Sequence, residues 1–287
     1  MKIIEGIEQN SPEWLEFRKC KIGASDAPII MGESPWCSPL QLWERKMGIA
    51  PEQPENFSMA RGKELEQQAR WVFEESIRSE FPPCVIQHDN FPWMIASLDG
   101  FSEDNHLAVE IKCPGKSDHE LALKGIVPPK YRPQLQHQIE VCGLNRIYYF
   151  SYDGKENACI EVYRDQPYID KMMVELKKFH KCMATCTPPE LTEKDYKIRN
   201  DDKWFQNALD WQDAHRDLKT AQEREERYRK RLVELSRSQN SKGFGVKVQK
   251  IMRQGSVQYC DIPALQGIDL DQYRKPASES WRITVEE

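Results

Sequence analysis

The sequence predicts a mixed α/β protein: a central sheet of parallel and antiparallel strands flanked by helices, followed by a long helix and a small β-rich tail. Three observations predict it. Runs rich in apolar, β-branched and aromatic residues occupy about 84–88, 91–99, 107–111, 146–152 and 158–163, with turn residues between them. Capped segments with apolar residues three and four apart alternate with those runs in the order α–β–β–β–α–β–β–α. From 202 to 238, Trp204, Ala208, Trp211, Leu218, Tyr228, Leu232 and Leu235 recur at helical spacing in a highly charged stretch. Such a helix is roughly 55 Å long at 1.5 Å per residue. The expected division is an α/β core over 1–190, a helical extension over 191–240 and a β-rich appendage over 241–287.

Each element has a local reason. Ser11-Pro-Glu-Trp14 opens a helix, with Ser11 as cap and Pro12 in the first turn. Ile22-Gly-Ala-Ser-Asp26 precedes Ala27–Met31 as a second helix start, where Ser25 serves as cap and the exposed amides suit an anion. Leu40 to Met47 is a further short helix. Arg61-Gly-Lys-Glu-Leu-Glu66 begins one that runs to about Ser79, with Leu65, Ala69, Val72 and Phe73 on its apolar face and Glu66 beside it. Ser102-Glu-Asp-Asn105 is turn chemistry between two strands, and Cys113-Pro-Gly115 ends the second. A short helix follows, then Tyr131 to Cys142, closed by Gly143. The strands at 146–152 and 158–163 meet at Asp153-Gly154. Pro167 to Cys182 is an amphipathic helix, and Pro188-Pro189 ends the unit. In the tail, 243–252 and 256–259 read as a hairpin around Gln254-Gly255, and 281–285 alternates like a last strand.

Composition narrows the class. The net charge of −5 gives no global basic signature, which argues against nonspecific coating of nucleic acid but leaves room for a local basic channel. No run of about eighteen apolar residues exists and the N-terminus lacks a basic-then-apolar pattern, so a cytoplasmic protein without membrane contact is expected. The nine cysteines contain no C-x-x-C pair, which fits free thiols and argues against an iron–sulfur nuclease. His180-x-Cys182-x-x-x-Cys186 has metal-ligand residue types, but a partly buried helix end is the simpler reading. Arg227, Arg229, Lys230 and Arg231 read as a solvated helix face before they read as a phosphate contact.

Chemistry concentrates in Ser97-Leu-Asp-Gly100 and Glu110-Ile-Lys112. Strand side chains alternate, so Glu110 and Lys112 project from one face, with Asp99 at the end of the neighbouring strand. A Glu-x-Lys triplet alone is usually a solvated strand face; an aspartate beside it changes the reading. Two carboxylates and an amine are what Mg²⁺-dependent phosphodiester hydrolysis needs. Mg²⁺ takes hard oxygen ligands, usually one or two carboxylates with water and substrate phosphate. Asp99, Glu110 and the backbone carbonyl of Ile111 are the expected ligands. Lys112, its pKa lowered by desolvation, would orient or deprotonate water or stabilise charge on phosphate.

Four ordered islands resemble the YqaJ-type viral recombinase nucleases, the family of phage lambda exonuclease and a branch of the PD-(D/E)xK superfamily. They are Trp14-Leu-Glu-Phe-Arg18 with Ile22–Asp26; Arg61–Glu66; Ala96–Gly100 with Glu110–Pro114; and Tyr131-Arg-Pro-Gln-Leu-Gln-His-Gln138, within about 10–155. The resemblance implies a restriction-endonuclease-like core. It makes Asp99, Glu110 and Lys112 the catalytic set, Glu66 a helical carboxylate assisting at the metal, and Gln136 a helical glutamine beside the lysine. Arg18, Ser25 and Ser97 become a pocket for a terminal 5′-phosphate, a fitting set of arginine fork and hydroxyls. The proline that names the superfamily is absent, Leu98 standing before Asp99. A basic residue expected after the Lys112 strand has no clear match: Lys116 is near and Asp118 stands in a similar place.

The expected function is a Mg²⁺-dependent 5′→3′ double-strand DNA exonuclease, phage or prophage encoded, that leaves a 3′ overhang, with Mn²⁺ as an expected substitute. The resemblance further implies a homotrimer, duplex DNA ends as substrate and a single-strand annealing recombinase as partner. The rivals are a DNA endonuclease on the same fold and a noncatalytic DNA-binding scaffold. Dependence on a free 5′-phosphate separates the first, and dependence on divalent metal the second.

Overall fold

The computed structural model describes residues 1–4, 6, 11–51 and 57–252. They fall into two compact units, Met1–Lys197 and Ile198–Glu287. In chain order the first unit opens with β1 (Lys2–Ile3), α1 (Pro12–Lys19) and α2 (Ala27–Ile30), followed by α3 (Pro39–Lys46) and α4 (Phe57–Ile77). Next come β2 (Cys84–Gln87), β3 (Ile95–Leu98), β4 (Gly100–Ser102) and β5 (Leu107–Lys112). Helices α5 (Lys116–Leu123) and α6 (Arg132–Cys142), strands β6 (Arg146–Tyr152) and β7 (Asn157–Tyr163), and α7 (Gln166–Ala184) complete it.

The expected single run over 91–99 is broken at its functional end. Strand β3 belongs to an antiparallel sheet ordered β1-β2-β3, whereas β4 belongs to a mixed sheet ordered β4-β5-β6-β7. Asp99 is the one residue between them, so the chain changes sheets there. The β5–β6 pair is parallel, with Glu110 opposite Tyr149 and Lys112 opposite Ser151, and its flanking pairs are antiparallel.

Period-two alternation assigns the faces of the mixed sheet. Val109, Ile111, Phe150 and Tyr152 pack with Ala69 and Phe73 of α4 and with Phe81. The Phe73 ring meets Phe81 edge-on at 5.0 Å and Phe150 at 5.3 Å, a geometry aromatic rings favour. On the other face, Ala108, Ile147 and Tyr149 join Leu135 and Ile139 of α6 and Met172 and Leu176 of α7. Glu110 and Lys112 share that second face, which turns them toward α6.

Local signals mostly act as expected. Ser11 Oγ accepts the Trp14 N–H at 3.1 Å, a cap worth about 1 kcal/mol. Gly143 closes α6 in the left-handed region, φ 63°. Ser25 is not a cap. A 3-10 turn over Ala24–Asp26 precedes α2, and the Asp26 carboxylate takes the Gly23 N–H at 2.8 Å. His180 stacks on the Trp93 indole at 4.6 Å.

In the second unit, α8 (Asp202–Leu235) is capped by Asp201, which accepts the Trp204 N–H. Arg229 and Lys230 pair with Glu226 on its surface. Strands β8 (Ser241–Gly243) and β9 (Val246–Val248) form a hairpin that turns at Phe244 and Gly245, φ 48° and 78°. Two consecutive left-handed residues make a tight turn inside what the alternation suggested was one strand over 243–252. The expected strands at 256–259 and 281–285 lie outside the described residues.

Candidate active site

Asp99 owes its position to the sheet change. β4 begins at Gly100, opposite Val109, so the Ile111 N–H has no β4 partner. Asp99 Oδ2 accepts that N–H at 2.8 Å, fixing the carboxylate beside the backbone of Ile111. Glu110, one residue back on β5, is 2 % exposed and fully engaged. Its Oε1 meets Lys112 Nζ and accepts from Gln134 Nε2 at 2.5 Å; its Oε2 accepts from Gln138 Nε2.

The electrostatics are those of crowded negative charge. Burial pushes the Asp99 pKa well above the usual carboxylate range, Glu110 and then Glu66 push it further, and only Lys112 and the Ile111 amide oppose them. Burial alone would lower the pKa of Lys112, as expected from sequence. Glu110 and Asp99 more than offset this and raise it instead, so Lys112 is a firmly protonated ammonium. Glu66 is half-buried on α4, paired with Arg70 at 3.1 Å.

Asp99, Glu66, Ile111, Lys112 and Gln134 line one cleft of about 600 Å³, and Ser25 lines it as well. Ser25 arrives there because Ile22 pairs with β3: Ile22 N–H donates to Trp93 O at 2.7 Å and Ile95 N–H to Ile22 O at 3.0 Å. Arg18 Nη2 lies 3.5 Å from Ser25 Oγ and 3.5 Å from Asp26 Oδ1, and its guanidinium stacks 4.6 Å above the Trp14 ring. The same indole donates to Ser97 Oγ at 3.1 Å. Arg18, Ser25 and Ser97 are therefore one cluster joined through Trp14. Asp26, buried under it, is also held by Lys46 at 2.7 Å. Burial opposes its charge, but Lys46 and Arg18 outweigh this and hold its pKa low.

Gln136 is placed elsewhere. Its amide donates to Tyr163 O at 2.8 Å and accepts the Asp165 N–H at 2.9 Å, tying α6 to the chain leaving β7. Helical geometry is the reason: residues two apart diverge, while Gln134 and Gln138, four apart, share a face. That face meets Glu110. Gln134→Ala is expected to lower activity roughly 10- to 100-fold, as loss of an orienting outer partner does. Gln136→Ala is expected instead to cost about 1 kcal/mol of stability, through the loss of two partly buried hydrogen bonds to the backbone. Steady-state rates and urea melts of both variants separate the two roles; equal loss of activity would contradict this division.

Lys116 is exposed and pairs with Glu120. Lys130, which sequence reasoning missed, lies in the cleft with its Nζ 2.5 Å from Asp118 and between the Trp36 and Tyr131 rings. Its only sequence signal is the preceding Pro128-Pro129, which says nothing of direction. Gln138 was visible in the same motif as Gln136, but choosing between them needs the helix rotation.

The donor set fits Mg²⁺. Among the described residues no cluster of three or more His, Cys, Asp or Glu is arranged around one metal position. A hard cation that draws most ligands from water and phosphate needs only one or two carboxylates, and excess negative charge at Asp99 favours one there. No helix among the described residues is long and apolar enough to cross a membrane.

Residues 13–145 match the family model of the YqaJ-like viral recombinase domain. The uncharacterised protein YqaJ of Bacillus subtilis is 28 % identical over 171 residues, which are 57 % of this chain and 53 % of that protein. The chain thus spans about half the length of that curated relative. Among solved structures, the alkaline exonuclease LHK-Exo of Laribacter hongkongensis is 25 % identical with a TM-score of 0.53, covering 62 % of this chain and 94 % of that one. The structure of LHK-Exo in complex with dAMP gives a TM-score of 0.54 at the same identity and coverage. Residues 13–145 thus carry a domain similar to the YqaJ-like viral recombinase domain, on a fold similar to that of alkaline exonucleases.

Proposed function

We propose that this chain is a Mg²⁺-dependent double-strand DNA exonuclease that digests 5′→3′ from phosphorylated ends and leaves a 3′ overhang. What carries the reading is that Asp99, Lys112 and Ser25 line one cleft, with the buried Glu110 paired to Lys112 behind it and Arg18 and Ser97 joined to Ser25 through the Arg18–Trp14 stack. The likeness to an alkaline exonuclease solved with dAMP supports a nucleotide product.

Asp99 and Glu110, with the Ile111 carbonyl, would hold the metal, and Glu66 would add negative charge beside it. A metal held there would supply polarisation of the attacked phosphate and a more acidic attacking water. Lys112 keeps its proton on Nζ, orienting that water and meeting charge that grows on the phosphate. Gln134 and Gln138 fix both Glu110 oxygens and so the direction of its remaining lone pairs. Arg18, Ser25 and Ser97 hold the terminal phosphate, which sets the step length from the end. Duplex ends as substrate, a homotrimer and a single-strand annealing partner rest on the family likeness.

The test uses linear duplex DNA, 5′-phosphorylated or not, beside a covalently closed circle, with Mg²⁺ or EDTA. Nucleotide release confined to linear DNA with Mg²⁺ is expected. Arg18→Ala should lower kcat/KM on phosphorylated ends by roughly 10- to 100-fold, the range for a charge-assisted hydrogen bond, and leave unphosphorylated ends unaffected. Cutting of the circle would replace the reading with an endonuclease; DNA binding without cleavage would leave a scaffold.

A further inference from the structure

Trp36 lines the catalytic cleft with its side chain largely in water, at 68 % exposure. A loose loop is not the cause. Lys194 Nζ bonds Ser34 O on one side of Trp36, and Asp195 meets Ser38 Oγ on the other. The Trp36 N–H also donates to Ser34 Oγ at 3.3 Å. The loop is pinned at both ends, and the indole stands out of it.

Its surroundings are ordered as well. Lys130 Nζ lies 4.8 Å from the Trp36 ring centroid and 5.2 Å from that of Tyr131. Lys112 Nζ lies 5.5 Å from the same Tyr131 centroid, and Tyr131 stacks on Tyr149 at 5.8 Å. The cleft therefore runs from the lysine of the hydrolytic set, across Tyr131, to Lys130 and then the open indole. Cation, aromatic, cation, aromatic is the alternation of a single-strand track: ammonium groups for phosphates and π-faces for bases.

We propose that Trp36 and Lys130 form a subsite for the strand being cut, in which the indole stacks a nucleobase and Lys130 meets the phosphate beside it. The ammonium occupies one face of the indole and the base takes the exposed one. Stacking does not read sequence, since every base has a π-face, so the subsite suits an enzyme that must accept each nucleotide in turn. Asp118, bonded to Lys130, positions its ammonium between the two rings. The subsite rests on the nuclease reading above.

The test measures binding of the full chain, in EDTA, to a 5′-phosphorylated duplex carrying a single abasic site at each of the first few nucleotides in turn. Wild type should lose roughly 5- to 100-fold in affinity at one position, the range for removing one stacked base. Trp36→Ala should lose that much on intact DNA and be indifferent to the abasic site at that position, while Trp36→Phe keeps the response. Lys130→Gln should lower the slope of log K against log salt by about one phosphate contact. Wild type and Trp36→Ala responding alike at every position would overturn the subsite alone. Failure of wild type to bind any DNA end would overturn the nuclease reading and the subsite with it.

Discussion

Asp99→Asn is expected to lower DNA hydrolysis by at least about 10²–10³-fold, the cost of removing one preorganised electrostatic group. The same change is expected to raise the melting temperature in EDTA at pH 8. Burial first, and then Glu110, disfavour the Asp99 anion, and the pull of Lys112 is too small to compensate. Its pKa is therefore higher in the fold than in the unfolded chain. A raised folded pKa contributes stability that is complete below the unfolded value, about 3.9, and is lost as pH rises through the folded one. The wild type therefore loses this contribution progressively as pH rises above about 3.9. Asparagine carries no charge yet still offers an oxygen to the Ile111 N–H, so the advantage of the variant should grow from acid to alkaline pH. Added Mg²⁺ should stabilise wild type and leave Asp99→Asn unchanged. Scanning fluorimetry at pH 4, 6 and 8, with EDTA or Mg²⁺, makes the measurement. A variant less stable than wild type at pH 8 in EDTA would refute the electrostatic account of this aspartate.

Gly100→Ala is expected to be the most damaging small substitution for the fold. A Cβ at this position would lie 2.7 Å from both Cβ and the carbonyl oxygen of Phe81, and 2.9 Å from Val109 Cγ1. The Phe101 N–H is bonded to Pro82 O at 2.9 Å, so the Phe81–Pro82 backbone is tied to β4 and has little room to retreat. Overpacking of this kind costs about 1–3 kcal/mol. It also moves the residue that follows Asp99, so activity should fall in the fraction that remains folded. Urea unfolding followed by circular dichroism reads the first effect. Stability within about 0.5 kcal/mol of wild type would mean the segment shifts freely, contrary to its contacts.

Much of this was legible in the sequence because it is local. The Ser11 cap, the Gly143 stop, the Asp153-Gly154 turn and the strands on either side of it depend on residues a few positions apart. Asp99, Glu110 and Lys112 were legible for a similar reason: strand alternation puts the latter two on one face. The break at Asp99 was not. Nothing in Ile95–Ser102 marks where a strand leaves one sheet for another; that follows from the pairing of β2 and β5. Gln136 was misplaced because the motif carries three glutamines two apart, and only the rotation of α6 decides which ones meet Glu110. Lys130 and Trp36 come together across almost a hundred residues, so no spacing rule could pair them. The left-handed turn at Phe244-Gly245 was hidden because phenylalanine rarely adopts that conformation and so gives no signal.

If Arg18 holds a terminal phosphate as proposed, the shared hold on Asp26 has a consequence for how ends would be told from interiors. Arg18 leans on this carboxylate at 3.5 Å, whereas Lys46 grips its other oxygen at 2.7 Å. Arg18 can therefore leave without stranding a buried charge. An internal phosphodiester, with one negative charge, offers the guanidinium no more than the carboxylate it already has. A terminal phosphate carries close to two. On the proposed function, recognition of an end would be a contest between anions with a built-in threshold, and Lys46, by deciding how well Asp26 does without Arg18, would set its height.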